Sequence, residues 1–282
     1  MKLRIASLNI AKGMFIGLEE WSGVKVEDPV NYLTSKNLDI VCLQEVSMGD
    51  NIDCFGKDGQ SNYKTFSAII KAFEGYFFYF APTICCHYTL GNYYRGNLTV
   101  SKYPIIFSKT NYFLNGKTIY YDYDKSKLGR INGKIDFRKE PRVFICTTID
   151  VNGDCVDIVN IHGVWSPDVN ESEAGQDFSC EVVNSVNKKK PTVIVGDFNT
   201  SVESNSIKIF KKNFTDVFKN SEEGTQDFRI LDKLSSKNFT DKTSRRIDLA
   251  FVSDHFKVEL KNSNPTKYPV SDHHPLLFTL SF

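Results

Sequence analysis

The chain has 282 residues, a formal charge of +1, 41% hydrophobic and 24% charged residues, which excludes a disordered tail or a fibrous repeat. No apolar run approaches the roughly 18 residues that a membrane span needs. The first segment, Met1 to Ile10, alternates like a strand and lacks a secretory apolar region, so a soluble, cytoplasmic protein is expected. With no linker, low-complexity tract or clear repeat, residues 1–282 read as one domain.

Seven cysteines, an odd number with Cys85 and Cys86 adjacent and no Cys-x-x-Cys pair, argue for a reduced compartment and against a zinc knuckle or redox motif. Cys42 and Cys146 lie in apolar runs and read as core residues.

After the first strand, Asp28-Pro29 is an N-cap followed by proline at the first helical position, opening a short helix towards Lys36. Leu38 to Val46 is a buried strand whose apolar part ends in Gln44-Glu45. Ser61 is a cap candidate for a helix with Phe66, Ile69, Ile70 and Phe73 on its apolar face. Strands follow near 77–81, 98–101 and 105–112. Asn115-Gly116 and Asn152-Gly153 are hairpin turn signals, because type I′ turns need positive φ at both central residues. The second joins strands 142–151 and 155–162. A helix fills part of 172–187, a buried strand runs from Thr192 into Asp197, 204–212 is helical, and strands close the chain at 246–252 and 275–280. Hairpins mixed with strand–helix–strand units give an α/β fold of mixed sheets with helices outside.

The polar residues that matter stand at strand ends, where a packed sheet presents groups to a ligand at fixed geometry. Six blocks run in order along the chain: Ser7-Leu8-Asn9, Leu43-Gln44-Glu45-Val46, Asn160-Ile161-His162, Gly196-Asp197-Phe198-Asn199, Arg246-Ile247-Asp248 and Ser271-Asp272-His273. Together they resemble the endonuclease/exonuclease/phosphatase superfamily, the DNase I-like fold, its broadly described bacterial members included. The resemblance implies a four-layer α/β sandwich, two mixed β-sheets face to face with helices outside. It also implies divalent-metal-dependent hydrolysis of a phosphate ester at one end of the sandwich.

Magnesium takes hard oxygen ligands and keeps several waters, so one or two carboxylates hold it, and manganese is a possible substitute. Glu45 is the first ligand, Asn9 supports it and Asp272 is a possible further one. By resemblance, His273 pairs with Asp248, Asp197 orients or deprotonates the attacking water, and Asn199 donates to the phosphate. The base is His273 or Asp197. His162 matches the branch that uses histidine at this position, against the scissile phosphate, where apurinic-site endonucleases carry tyrosine.

Other groups read two ways. Arg138-Lys139-Glu140-Pro141, with Arg142 after it, is a phosphate contact or a solvated charge run, and Arg245-Arg246 is a further phosphate-binding candidate. Tyr88, Tyr93, Tyr94 and Arg95 stack on bases or pack under a loop. Lys188-Lys189-Lys190 is a solvated turn, and of His273 and His274 alternation turns one away from the site. Donors drawn chiefly from Asn9, Asn199, His162 and His273 suit a singly charged diester better than a terminal phosphate. The expected activity is therefore a magnesium-dependent phosphodiesterase, a nuclease acting on DNA or RNA. The alternatives are a phosphatase or phospholipid phosphodiesterase on the same scaffold, or a catalytically silent binding protein.

Overall fold

Alternating strands can bury one face between two sheets and the other under helices, and the computed structural model of this chain does both. It describes residues 1–13, 27–49, 65–88, 91–113, 130–131, 134–135, 140–165, 172–221, 223–234, 246–262 and 266–282. One six-stranded sheet has the order β13 (Lys257–Asn262), β14 (Leu276–Ser281), β1 (Lys2–Asn9), β2 (Ile40–Gly49), β4 (Gly91–Ser101), β3 (Phe77–Tyr88). The other has the order β11 (Thr215–Asp216), β12 (Asp248–Val252), β10 (Thr192–Asp197), β9 (Asp154–His162), β8 (Arg142–Val151), β5 (Ile105–Phe113). A short hairpin pairs β6 (Arg130–Ile131) with β7 (Lys134–Ile135). Both large sheets are mixed: β1 runs parallel to β2 and β9 parallel to β10, while their other neighbours are antiparallel.

Leu3, Ile5, Ile40, Cys42, Ile158, Val193, Val195, Ala250 and Phe278 fill the space between the sheets. Helices α1 (Pro29–Thr34) and α2 (Thr65–Ala72) cover the first sheet's outer face, where Leu33, Ile69 and Phe73 meet Leu8, Val41, Leu43 and Leu98. Helices α3 (Glu173–Ser185) and α4 (Asn205–Lys211) cover the second, where Phe178, Val182, Ile207 and Phe210 meet Val159, Ile161, Ile194 and Phe251. A further helix, α5 (Phe228–Leu234), precedes β12. These are the expected four layers. Burial pushes the Cys42 thiol up to about 12, so it behaves as an apolar core residue. Cys146 is half-buried against the outer cluster of the second sheet.

Local chemistry starts the helices where the caps stand. The Asp28 carboxylate accepts from the amides of Val30 and Asn31, with Pro29 opening α1. Ser172 and Ser204 cap α3 and α4 through the amides of Gly175 and Ile207. Each such cap contributes about 1 kcal/mol. Asn152 and Gly153 take φ of 57° and 100°, as the tight β8–β9 turn requires. Ser61 and Asn115-Gly116 lie outside the described residues. Two strands extend beyond expectation: β2 continues past Glu45 to Gly49, and β3 and β4 form one long hairpin. Among the described residues no helix is long and apolar enough to cross a membrane.

The inward rows change character along their length. On β1 the row reads Leu3, Ile5, Ser7, Asn9; on β9 it reads Val156, Ile158, Asn160, His162; on β10, Val193, Val195, Asp197; and on β12, read backwards, Val252, Ala250, Asp248. One pole of the sandwich is apolar and the other polar.

Candidate active site

Register assembles the polar pole. Asp197 pairs with His162 on β9 and with Asp248 on β12, so one line across the second sheet carries three candidate residues. Opposite, Asn9 pairs with Gln44 across β1 and β2. Glu45 reaches the site by a different device. The β2–β4 register shifts between Leu43 and Val46, so Gln44 and Glu45 together oppose Asn97. Without that bulge, alternation would send Glu45 outward with Leu43. Glu45 takes φ 55° there, and Ala11, Lys12 and Asn199 at the same pole take φ of 45°, 63° and 53°. Each costs about 1–3 kcal/mol, and such strain concentrates at working sites. A Cβ on Gly196 would stand 2.1 Å from Ile161 O, so only glycine lets β10 lie this close to β9.

Hydrogen bonds then lock the groups. His273 Nδ1 lies 2.8 Å from Asp248 Oδ2, and His273 Nε2 lies 3.9 Å from Asp197 Oδ2. Asp197 Oδ2 accepts from Asn9 Nδ2 at 3.0 Å, and its Oδ1 accepts from the Asn199 amide at 2.8 Å. Asn9 Oδ1 also accepts from the Ala11 amide, so Asn9 orients Asp197 besides standing beside the β2 bulge. Asn199 Nδ2 donates to Gly163 O. The Ser271 hydroxyl donates to Asn9 O at 2.7 Å and lies 3.1 Å from Asp272 Oδ1, which ties the last block to the first. Thr225 Oγ1 accepts from the amides of Ile247 and Asp248, and Thr225 O accepts from the His274 amide. His274 turns away from His273, with Nδ1 3.5 Å from Asp227 Oδ2. A layer of buried amides underlies the site: Gln44 Nε2 donates to Asn160 Oδ1, and Asn160 Nδ2 donates to the carbonyls of Leu43 and Leu98. It bridges the two sheets directly beneath Glu45 and His162.

Burial opposes ionisation of His273, but Asp248, by charge and by hydrogen bond, holds its pKa well above the ordinary imidazole value. His162 goes the other way: burial, then Arg142 and Arg95, keep it neutral. Burial also works against Glu45, but Arg95, Lys12 and Arg142 outweigh it and hold Glu45 ionised. Burial raises Asp272 and pushes Asp197 up to about 7, against the pull of His273.

The Asp197 shift has a testable sign. The folded chain keeps this proton to about pH 7, whereas an unfolded one releases it near pH 4. The metal-free fold therefore loses stability as pH rises between those values, and the loss persists above them. Asp197→Asn removes the charge but turns an amide donor towards Asn9 Nδ2 or the Asn199 amide, both of which donate to the carboxylate, a cost that is the same at every pH. Differential scanning calorimetry of the metal-free protein should show the variant gaining several degrees relative to the parent between pH 4 and pH 8; a difference between the two that is equal at both pH values would refute the shift.

The cations differ from the sequence reading. Arg246 is buried and spent on Asp216, at 2.8 and 3.1 Å, and Arg245 lies outside the described residues. Arg138, Lys139 and the side chains of Tyr88 and Tyr93 lie outside them too. Arg95 comes from the presumed stacking segment but pairs with Glu140 and stands 3.8 Å from Glu45. Arg142 Nη2 lies 3.1 Å from the same Glu140, and its Nη1 lies 3.3 Å from His162 Nε2. Period-two spacing held the signal for Arg95, because it continues the inward row Ser101, Thr99, Asn97 on β4.

The oxygens and nitrogen of Asp197, Asp248 and His273 lie within 4.8 Å of one another, a set able to hold a metal ion. The family model described as "Endonuclease/Exonuclease/phosphatase family" matches residues 28–273. No curated protein sequence matches the chain. Among solved structures, an endonuclease/exonuclease/phosphatase from Beutenbergia cavernae is similar at 17% identity and TM-score 0.68, over 99% of this chain and 71% of that one. The mannosyl-6-phosphatase Bt3783 of Bacteroides thetaiotaomicron is similar at 17% identity and TM-score 0.63, over 99% and 100%. A humanized D. rerio TDP2 is similar at 13% identity and TM-score 0.63, over 100% and 99%. At these identities the structural likeness speaks for the fold, and the family rests on the match along most of the sequence. The chain belongs to the endonuclease/exonuclease/phosphatase family, whose members are hydrolases acting on phosphate esters.

Proposed function

We propose that this protein is a divalent-metal-dependent phosphodiesterase, with a nucleic acid as its substrate. The observation that carries the reading is the charge balance at the polar pole. Glu45, Glu140, Asp197, Asp248 and Asp272 set five carboxylates against Lys12, Arg95, Arg142 and a protonated His273. That deficit, on hard oxygen ligands, fits magnesium or manganese. With such an ion bound and Asp197 and Asp272 ionised beside it, the pole carries a single positive charge, which matches a diester better than a doubly charged terminal phosphate.

Glu45, with Asp272 and Asn9, would hold the metal, which supplies charge neutralisation on the phosphate oxygens. The chain's own groups do the rest. Asp197, oriented by Asn9, receives or directs the proton of the attacking water. Asp248 holds His273 in one tautomer and stabilises its cation beside the phosphate. Asn199 and His162 flank the same space. Nucleic acid gains further affinity from phosphate contacts outside the site, so KM should rise with salt.

The buried Arg142 and the half-buried Arg95 favour a second reading, a phosphatase for small monoesters, and the similarity to a mannosyl-6-phosphatase keeps it in view. The test is one activity panel over single- and double-stranded DNA, RNA, abasic DNA, a sugar phosphate and a sphingolipid, with magnesium and with EDTA. The proposal expects magnesium-dependent cleavage in a nucleic-acid lane, a salt-sensitive KM and little phosphate released from the monoester. Equal kcat/KM on monoester and oligonucleotide, with no salt effect, would overturn it.

A further inference from the structure

Asp248 and His273 form one pair but belong to different sheets. Asp248 opens β12 in the second, and His273 lies just ahead of β14 in the first, so their 2.8 Å contact crosses from one sheet to the other. The strip Thr225-Gln226-Asp227 touches both sides of that crossing. Thr225 Oγ1 accepts from the amides of Ile247 and Asp248, at 3.1 and 3.0 Å. Towards the last block the strip forms a short antiparallel bridge, with Gln226 opposite His273. There the Asp227 amide donates to Asp272 O at 2.7 Å, and the His274 amide donates to Thr225 O at 2.6 Å.

Asp227 anchors the strip. Its side chain is 1% exposed, and Arg229 meets it with a two-point fork, Nε 2.9 Å from Oδ1 and Nη2 2.6 Å from Oδ2. Arg229 Nη1 donates to Thr266 O and Lys267 O, at 2.9 and 3.2 Å, in the segment that leads to Ser271-Asp272-His273. Asp227 Oδ1 also accepts from the Arg229 amide at the start of α5. A helix cap by itself does not account for this arrangement, because capping needs an acceptor and not a buried charge. Burying a carboxylate is costly unless it is well paired, and here the pairing runs to the chain that carries His273.

We propose that Asp227 and Arg229 are positioning residues that act through the strip 225–227 to hold His273 on Asp248. The proposal rests on the reading of that pair as catalytic, and it is indifferent to the substrate. Neither residue touches the reacting atoms. Their effect is on distance and angle: the guanidinium fork pins the incoming segment to the strip, the bridge sets His273, and Thr225 sets Asp248. A misplacement of about 1 Å between working groups costs about 10²-fold in rate. The planar fork is needed for this, since the point charge of lysine fixes no angle.

The test reads kcat and KM per folded molecule on whichever ester the activity panel finds, with His273→Ala as the inactive reference. Arg229→Gln leaves the cap and removes the fork, whereas Asp227→Ser keeps a capping acceptor and removes the charge. Each should lower kcat by about 10–100-fold with KM within about threefold. The double variant should lose little more than either alone, because the two residues act as one unit. Arg229→Lys should recover only part of the loss. Thr225→Val should fall with the others, and Thr225→Ser, which keeps the acceptor, should recover most of the rate. Proton magnetic resonance adds a readout that needs no substrate. The proton between His273 Nδ1 and Asp248, assigned by its absence in His273→Ala, should exchange with solvent about tenfold faster in Arg229→Gln and Asp227→Ser. Full activity in His273→Ala would overturn the reading of the pair and this proposal with it. Parent kcat in Arg229→Gln and Asp227→Ser beside an inactive His273→Ala would overturn this proposal alone, as would unchanged proton exchange in both variants.

Discussion

His273→Ala should lower kcat by about 10³–10⁴ while the chain stays folded. The reason lies in its two ring nitrogens: Nδ1 is 2.8 Å from Asp248 Oδ2, and Nε2 faces Asp197 at 3.9 Å. Asp248→Asn leaves the shape but removes the charge that stabilises the imidazolium, so it should lose nearly as much. It should also bring a pH dependence of kcat into the range where an ordinary imidazole titrates. His274→Ala should cost no more than about tenfold in kcat per folded molecule, because that ring turns to Asp227, behind the site. Comparable losses at both histidines, in steady-state assays normalised by folded fraction, would reverse the assignment of the pair.

Glu45→Ala should abolish measurable Mg²⁺ binding and most turnover. The carboxylate is aimed into the site by a bulge and held ionised by Arg95, Lys12 and Arg142, although burial opposes its charge. Removing it takes away a hard ligand and leaves those cations to repel the metal. Calorimetric Mg²⁺ titration of parent and variant is the measurement; unchanged affinity would remove Glu45 from the ligand set. A backbone argument adds an internal control. At φ 55° glycine is unstrained and alanine is not, so Glu45→Gly should melt above Glu45→Ala, both being inactive. A metal requirement also means that EDTA stops activity, and turnover surviving full chelation would end the metal reading.

The fold was legible because its signals are local. The Asp28-Pro29 start, the Asn152-Gly153 turn and the apolar runs of β2 and β10 each depend on a few neighbouring residues, and the structure follows them. Other elements were harder to read for a stated cause. The two-residue β11 and the exposed β13 carry little pattern of their own and exist by pairing with β12 and β14. The end of β2 was misplaced because a carboxylate after an apolar run looks like a strand end. A bulge depends on the partner strand, and one sequence does not display its partner.

What the sequence determined by itself is the alternation of faces and the chemical identity at most strand ends: Asn9, His162, Asp197 and Asp248 stand where period two and the apolar runs predict polar ends, and His273 just before the last strand, whereas Glu45 faces the site only through the β2 bulge. Only the tertiary structure decided which cations join them. Arg246 neighbours Asp248 in sequence yet is spent on Asp216, while Arg95 and Arg142, distant in sequence and on different sheets, converge through Glu140. The tertiary structure also decided protonation, keeping His162 neutral and His273 charged. The physical reason is the range of the forces. Side-chain direction and turn chemistry act over a few residues along the chain, whereas desolvation and charge pairing depend on what packing brings within a few ångströms, whatever its place in the sequence.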